Sequence, residues 1–232
     1  MYVLAIDTAT DTVVTGVAEL SGEATGLARI CAQRSVSDHR RHAEVLTTLI
    51  AESLEESGVA RADLAAVVVG CGPGPFTGLR VGMATGAAFA DALAIPAYPV
   101  CSLDAVAAQQ YADDPLLSSV LVVTDARRRE IYWARYVDRV RVSGPDVTAP
   151  ADVVEAVATE QIDVVVGSLT HTALFDRPVG SGTVPTVAGL VEAARPELVS
   201  GAAPAPLTPL YLRRPDAVER APAVNAAAGR PS

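Results

Sequence analysis

A pattern of strand, aspartate-led turn and second strand occurs twice in this chain and constrains its fold more than any other feature. The first copy reaches Asp7 after an apolar run and resumes at residues 13–18, and the second reaches Asp125 and resumes at residues 131–137. Two apolar runs joined by a short polar segment predict a β-hairpin. The two aspartates lie 118 positions apart in a chain of 232 residues. A repeat of about half the chain predicts a duplicated architecture of two similar α/β lobes.

We place the boundary between the predicted lobes where one predicted element ends and the next begins. Residues 1–101 are expected to form the first lobe and residues 102–216 the second, and a turn at residues 111–115 is an alternative boundary. Residues 217–232 are rich in alanine and proline and show no periodicity. We expect this last segment to be a disordered tail, because it offers too little apolar surface to offset the entropy of ordering it.

The stretch at residues 67–91 predicts a strand, a tight loop and a helix, because an apolar β-branched run breaks into glycines and prolines and resumes as an alanine-rich segment. Small residues recur at every fourth position of that helix, namely Gly78, Gly82, Gly86 and Ala90. Each glycine inside a helix costs roughly 0.5–1 kcal/mol relative to alanine. Close packing of another backbone on this glycine ridge must offset the cost, and we expect that backbone to belong to a partner protein.

The loop at residues 70–78 also invites comparison with phosphate-binding loops, since a glycine-rich turn before a helix exposes backbone N–H groups. It lacks the Gly-Lys-Ser/Thr sequence of the P-loop and the Gly-x-Gly-x-x-Gly spacing of dinucleotide-binding loops. Pro73 and Pro75 remove two N–H donors as well. A structural turn that orients the following helix is therefore the preferred interpretation.

Composition limits the partners of the chain. It contains no lysine, 18 arginines and 27 acidic residues, for a net charge of −9. High-affinity RNA binding by this chain alone is disfavoured, because an acidic protein gains nothing from counterion release on a phosphate backbone. The three cysteines lack metal-binding spacing and predict buried, reduced thiols. The first residues show no basic leader and the most apolar segment, residues 81–95, is too short to span a membrane, so we expect a cytoplasmic protein.

The histidines and cysteines do not predict a catalytic centre. His39 and His42 lie about one helical turn apart near Glu44, but a metal site needs at least three convergent ligands, and His171 is the one remaining histidine. A solvated or interface-facing pair is preferred. Cys71, before a helix start, is a candidate for a lowered pKa, yet a small buried residue is the preferred interpretation.

The aspartates at the strand ends and the arginines beside them allow two interpretations. Asp7 and Asp125 would flank a cleft in an enzyme and bind a metal or phosphate-bound water, but carboxylates in this position also cap turns. Three successive arginines at residues 127–129 could hold an anion, or form a solvated hairpin tip that needs no ligand.

Five motifs occur in a fixed order along the chain: AIDTAT at 5–10, GCGPGPFTGLRVG at 70–82, DAR at 125–127, EIYWA at 130–134 and PLYLR at 209–213. Together they resemble the TsaB (YeaZ) family, the bacterial partner subunit for threonylcarbamoyladenosine formation on tRNA. The resemblance is strong over residues 1–136 and weak over residues 139–206.

The resemblance implies a two-lobed actin-like ATPase (ASKHA) fold, each lobe having a central mixed sheet opened by a β-hairpin. It also implies that this subunit is not the catalyst. In that family the TsaD subunit binds the metal and transfers the threonylcarbamoyl group to the tRNA adenosine next to the anticodon, and TsaE is the associated ATPase. ATP and metal are thus expected in the partner subunits, no cofactor is expected to be required by this chain, and tRNA is expected to bind only through the complex.

The resemblance further places the TsaD-binding surface on the first two helices, predicted at residues 39–57 and 77–91. The residues expected at that interface are His42, Leu46, Leu49, Thr77, Gly78, Arg80, Gly82 and Gly86. The same helices would pair two copies of this chain when the partner is absent.

A degenerate nucleotide cleft is the last implication. Actin-like ATPases carry glycine-containing phosphate hairpins, whereas Thr8 follows Asp7 here and bulky arginines follow Asp125. The residues expected in the cleft are Asp7, Thr8, Thr10, Asp125 and Arg127, with no catalytic or metal-binding residue among them. Family members commonly have glycine where Arg129 stands, so this hairpin tip is expected to differ.

Two enzymatic alternatives stay open. The chain could be a nucleotide-dependent kinase or ATPase of the actin-like fold that uses Asp7 and Asp125 across the cleft. A peptidase is the weaker alternative, because no His-Glu-x-x-His motif and no nucleophile with a nearby base is visible.

Overall fold

The computed structural model describes residues 1–21, 27–37 and 42–213, without the side chains of residues 42 and 43. Its first lobe is built around a five-stranded sheet. The strands are β1 (Tyr2–Asp7), β2 (Thr12–Glu19), β3 (Arg29–Ser37), β4 (Leu64–Gly70) and β5 (Ala97–Val100), in the spatial order β3-β2-β1-β4-β5. As predicted, β1 and β2 form an antiparallel hairpin, and β1 pairs in parallel with β4 on its other side.

Helices cover both faces of this sheet. The helices α1 (His42–Ser57) and α2 (Phe76–Leu93) lie on one face, where they bury Leu4 and Ile6 of β1. The intervening residues of the strand, Val3 and Ala5, face the opposite side, because side chains alternate along a strand. There they contact α6 (Val187–Ser200), so β1 is buried on both faces.

The second lobe repeats the design with four strands. Its elements are α3 (Ser102–Asp113), β6 (Ser119–Asp125), β7 (Ile131–Val137), β8 (Val140–Thr148), α4 (Pro150–Ala156), β9 (Val164–Gly167) and α5 (Leu169–Thr172). The sheet order is β8-β7-β6-β9, with the β6–β7 hairpin antiparallel and β9 parallel to β6. The strand pairing around β6 therefore matches that around β1, which confirms the predicted duplication.

The division of the chain at residue 101 is wrong for one helix. The range 102–216 includes α6, yet Val187, Leu190 and Val191 pack on the first lobe's sheet. The helix α3 links the lobes, since Ala105 belongs to the same cluster while Leu103 packs in the second lobe. The first lobe thus needs a helix from the far end of the chain to bury the second face of its sheet.

Two local features differ from what their sequences indicate. Proline lacks a backbone N–H and disfavours the interior of a helix, yet α6 continues through Pro196 to Ser200. The edge strand β8 was not predicted, because Gly144 and Pro145 interrupt its sequence; the register shifts beside these residues absorb the interruption. Residues 217–232, expected to be disordered, lie outside the described residues.

Candidate functional site

The two hairpins face each other across a cleft of about 250 Å³ between the lobes. The first lobe contributes residues 9–12 and Pro75 to its walls, and the second lobe contributes Asp125 and Arg127, among others. Both hairpin turns reach the cleft because each follows the carboxyl end of the first strand in its sheet, the edge at which α/β folds place ligands.

Asp7 is the most constrained residue near this cleft. Its side chain is fully buried, and its Oδ1 and Oδ2 accept hydrogen bonds from the backbone N–H of Ala9 (2.8 Å) and the hydroxyl of Ser102 (2.6 Å). Gly70 lies so close that a Cβ there would overlap the carboxylate. Burial raises the pKa of Asp7 from 3.8 to about 6, and the two hydrogen bonds oppose that rise. Asp7 therefore links β1 to the start of α3 and does not reach into the cleft.

The glycine loop at residues 70–78 packs against the first hairpin. A Cβ on Gly74 would overlap the carbonyl of Ala9, so the loop lies directly on the hairpin turn. Thr8 donates a 2.8 Å hydrogen bond to the carbonyl of Gly78 at the start of α2. Thr10 bonds within the turn, to the backbone of Thr12. These contacts agree with the interpretation of the loop as a structural turn.

A charged group bridges the two lobes at the mouth of the cleft. The Nη2 of Arg127 lies 2.6 and 2.8 Å from the carboxylate oxygens of Asp11 in the first lobe. Asp125 lies 3.5 Å from Nε of the same arginine and 3.2 Å from Nε2 of His171. Sequence reasoning identified Asp125 and Arg127 but missed Asp11 and His171. No signal in the sequence pairs these residues, because they come from elements more than 40 positions from their partners.

The residues of the cleft do not fit a nucleotide with its metal. Both oxygens of Asp7 bond to the protein itself, and the loop around Gly74 closes the first hairpin turn. The guanidinium of Arg127 is matched by Asp11, which would repel a phosphate. Among the described residues, no group of three or more His, Cys, Asp or Glu side chains could hold a metal ion. The geometry therefore disfavours the kinase alternative that uses Asp7 and Asp125.

The cysteines near the cleft lack the features of a nucleophile. Burial raises the pKa of the Cys71 thiol to about 12 and that of Cys101 to about 12. A thiol with such a pKa is almost fully protonated at neutral pH, and the thiolate is the reactive form. The lowered pKa considered for Cys71 is wrong, and Cys71 is a small buried residue in the core of the first lobe.

A C-terminal strap, residues 207–213, joins the two lobes on the outside. The backbone N–H of Leu210 donates to the carbonyl of Cys71 (2.8 Å). The ring of Tyr211 stacks on Phe76 with 5.0 Å between centroids, and its hydroxyl accepts a 2.8 Å hydrogen bond from Nε of Arg80. In the second lobe, Arg213 forms an ion pair with Glu130. Two motifs that carry the family resemblance, at residues 70–82 and 209–213, thus bind one another.

We expect Tyr211→Ala to lower the free energy of unfolding by about 1–2 kcal/mol, because it removes a ring stack and a hydrogen-bond acceptor. Tyr211→Phe should lose less, since the stack on Phe76 remains. Urea denaturation followed by circular dichroism measures both values. Equal losses in the two variants would show that the hydroxyl, and not the ring, anchors the strap.

The glycine ridge of α2 faces the protein's own sheet. Gly78, Gly82 and Gly86 are buried. A Cβ on Gly82 would overlap the hydroxyl of Thr8, and one on Gly86 would lie 2.6 Å from Val69. The prediction that Gly82 and Gly86 contact a partner is therefore wrong, because Thr8, directly after β1, and Val69 of β4 already occupy that face. Close backbone packing was correctly expected, but it occurs within the chain.

The other predicted interface residues divide into two sets. Leu46 and Leu49 are buried in the core beneath α1, so they too cannot contact a partner. Thr77 and Arg80 are exposed on the outer side of α2. The side chain of His42 and the whole of His39 lie outside the described residues. What remains accessible is the outer surface of α1 and α2, opposite the sheet.

Comparisons with known proteins agree with this architecture. The family model of the tRNA N6-adenosine threonylcarbamoyltransferase TsaD matches residues 29–199. An uncharacterised protein of Mycobacterium tuberculosis is 49% identical over 215 residues, which cover 93% of this chain and 93% of that protein. No helix in the described parts of the chain is long and apolar enough to cross a membrane.

Two solved structures superpose on most of this chain. YeaZ from Pseudomonas aeruginosa superposes with a TM-score of 0.74 and 25% identity, covering 91% of this chain and 99% of that one. A putative N-acetylmannosamine kinase from Listeria monocytogenes superposes with a TM-score of 0.50 and 12% identity over 87% of this chain and 100% of its own, which shows the fold alone. The duplicated lobes are those of the actin-like fold, and the chain belongs to the TsaB (YeaZ) family within the wider family of tRNA N6-adenosine threonylcarbamoyltransferases.

Proposed function

We propose that this chain is a non-catalytic activator subunit of the complex that forms threonylcarbamoyladenosine on the tRNA adenosine next to the anticodon. The observation that carries the proposal is the closed first hairpin, in which Asp7 is buried and bonded to Ala9 and Ser102. A phosphate-binding hairpin needs accessible donors, and this one is filled by the chain's own loop. Membership of the family supports the link to tRNA modification.

The partner in this proposal is a TsaD-like catalytic subunit that binds the outer surface of α1 and α2. The outer side of α2 carries exposed Thr77, Arg80, Ala84, Ala88 and Asp91. Two exposed alanines one turn apart would let a partner helix approach closely, since interaxial distance depends on side-chain size.

The outer side of α1 adds acidic groups to this surface. Glu52, Glu55 and Glu56 are exposed, and Arg34 pairs with Glu52 at 3.8 Å and with Glu56. We therefore expect the surface of the catalytic subunit that faces α1 to be basic. Charge complementarity of this kind raises the association rate and fixes the relative orientation.

The remaining parts of the proposal follow from the same complex. A TsaE-like ATPase joins it, tRNA binds only through the assembled subunits, and the reaction takes place in the cytoplasm. ATP and metal act in the partner subunits, and this chain needs no cofactor. In the absence of the catalytic subunit, the outer surface of α1 and α2 pairs two copies of this chain.

We expect Ala84→Arg to prevent co-purification with the TsaD-like subunit while leaving the chain folded. A long side chain on the outer face of α2 holds a partner helix away, and arginine is a good helix former at an exposed position. The free energy of unfolding should change by no more than about 0.5 kcal/mol. Affinity pull-down from cells that produce both subunits measures assembly.

A matched control is Ala151→Arg, which makes the same change at an exposed position of α4 in the second lobe. It should leave assembly unchanged. Normal assembly of Ala84→Arg would contradict the proposed interface. Calorimetry of the purified chain with ATP and magnesium tests the non-catalytic role separately, and tight binding with turnover would restore the kinase alternative.

A further inference from the structure

The hairpin tip between β6 and β7 presents three arginines on an unusual backbone. Arg127, Arg128 and Arg129 have φ values of +63°, +53° and +64°, in the left-handed region that ordinary residues avoid. All three are exposed. A run of three such residues persists only where surrounding structure holds it, and strain of this kind concentrates at functional sites.

The strap supplies the structure that holds the tip. The guanidinium of Arg213 donates to the carbonyl of Ala126 (2.7 Å) and that of Arg127 (3.3 Å), besides pairing with Glu130. The backbone N–H of Glu130 donates to the carbonyl of Arg127 (3.0 Å) and closes the turn. These bonds hold the backbone of the tip, so the three arginine side chains project from a fixed loop.

This region is positively charged within an acidic protein. Its basic residues are Arg80, Arg127, Arg128, Arg129 and Arg213, and its acidic residues are Asp11, Asp125 and Glu130. The local balance is positive, whereas the whole chain carries −9. Arg127 and Arg213 already have carboxylate partners, and Arg129 has no ion pair with any described residue.

The chemistry of the surroundings favours a nucleic acid as ligand. The tip borders an open hollow of about 220 Å³ lined also by Phe76 and Tyr211, residues that are 39% and 37% exposed. The ring of Phe76 stacks on Tyr211 and lies under the guanidinium of Arg80, so phosphate is the part of a nucleic acid that this region suits best. Guanidinium groups match phosphate oxygens in a two-pronged geometry. A closed cradle would suit a small anion, whereas all three arginines of this tip are exposed.

We propose that the arginine tip, residues 127–129, contacts the phosphate backbone of tRNA when this chain is assembled with its catalytic subunit. The inference rests on the proposed function, because the net charge disfavours strong RNA binding by the chain alone. It extends that function by giving this subunit a direct contact with the substrate, where the family resemblance implies only a supporting role.

The test uses Arg129→Gly in the assembled complex with the TsaD-like subunit. Glycine readily adopts the left-handed backbone of this position, so the variant removes one charge without disturbing the tip. The dissociation constant for a tRNA transcript with an adenosine next to the anticodon is measured between 50 and 200 mM salt. We expect binding to weaken roughly 5- to 10-fold at about 0.1 M salt, and the slope of log K against log[salt] to fall by about 1.

The matched control is Arg61→Gln, which removes an exposed arginine just before the amino end of β4. It should change neither the dissociation constant nor the salt slope. Unchanged affinity and slope in Arg129→Gly, with a normally assembled complex, would overturn this inference alone. Loss of assembly in Arg129→Gly would overturn it in favour of a protein contact. Failure of the unmodified chain to assemble with the TsaD-like subunit would overturn the proposed function and this inference together.

Discussion

Gly82→Leu should destabilise the first lobe itself and not merely weaken an interface. A Cβ at Gly82 overlaps the Thr8 hydroxyl, which donates to the carbonyl of Gly78. Overpacking a core costs about 1–3 kcal/mol, and loss of a buried hydrogen bond about 1–3 kcal/mol more. Leucine recovers about 1 kcal/mol through its higher helix propensity. We expect a net loss of about 1–5 kcal/mol in the free energy of unfolding, measured by urea denaturation.

The comparison variant is Ala88→Leu, on the exposed side of the same helix. It adds a similar side chain where nothing in the described chain is displaced, so its stability should stay within about 0.5 kcal/mol of the unmodified protein. A stable, folded Gly82→Leu that fails to bind the catalytic subunit would contradict our assignment of the glycine ridge to the lobe's own core.

The second large effect concerns Asp7 and pH. Its pKa is about 6 in the folded protein against 3.8 ordinarily, so between these values the native state binds more protons than the unfolded chain. Stability must then fall as pH rises through this window. Two pKa units correspond to about 3 kcal/mol. The contribution of Asp7 to stability is therefore most favourable below about pH 4 and fully lost above about pH 7.

Asp7→Asn should remove this dependence. The amide stays neutral at every pH, and its N–H₂ can donate to the Ser102 hydroxyl while its oxygen accepts from Ala9. Near pH 7.5 we expect the variant to be about 2 kcal/mol more stable than the unmodified chain, with the advantage gone by pH 4. Urea denaturation at a series of pH values measures the difference, and a difference that does not vary with pH would contradict the assignment.

Ser102→Ala provides an independent check on the same group. The Ser102 hydroxyl lowers the pKa of Asp7 by bonding to its ionised form, so removing it should move the titration of this carboxyl to higher pH. Carboxyl ¹³C NMR follows that titration directly. A shift to lower pH would show that burial is not the cause of the raised value.

Local patterns predicted the elements well where their periodicity was strong. Both hairpins, α1, α2 and the structural role of the loop at residues 70–78 agree with the expectation. The edge strand β8 was not predicted, because Gly144 and Pro145 interrupt its pattern while its pairing with β7 preserves the strand. Propensity is a weak signal beside packing of this kind.

The site was harder to predict than the elements. Asp7 and Asp125 were identified from their place after each first strand, yet they have opposite environments. Asp7 is buried against Gly70 at the start of the glycine loop. Asp125, in contrast, lies exposed beside Arg127 and His171. Equivalent positions in a repeat share a backbone, but the residues around them come from different parts of the chain.

The sequence by itself determined that two hairpin-led lobes exist, that the chain is acidic, and that a small-residue face on α2 must meet another backbone. Only the tertiary structure decided which backbone that is. A spacing of four residues shows which side chains share a face of a helix and says nothing about what packs on it. Thr8 and Gly78 are 70 residues apart, and the parallel pairing of β1 with β4 brings them together. The surface left for a partner is therefore the opposite side of the same helix.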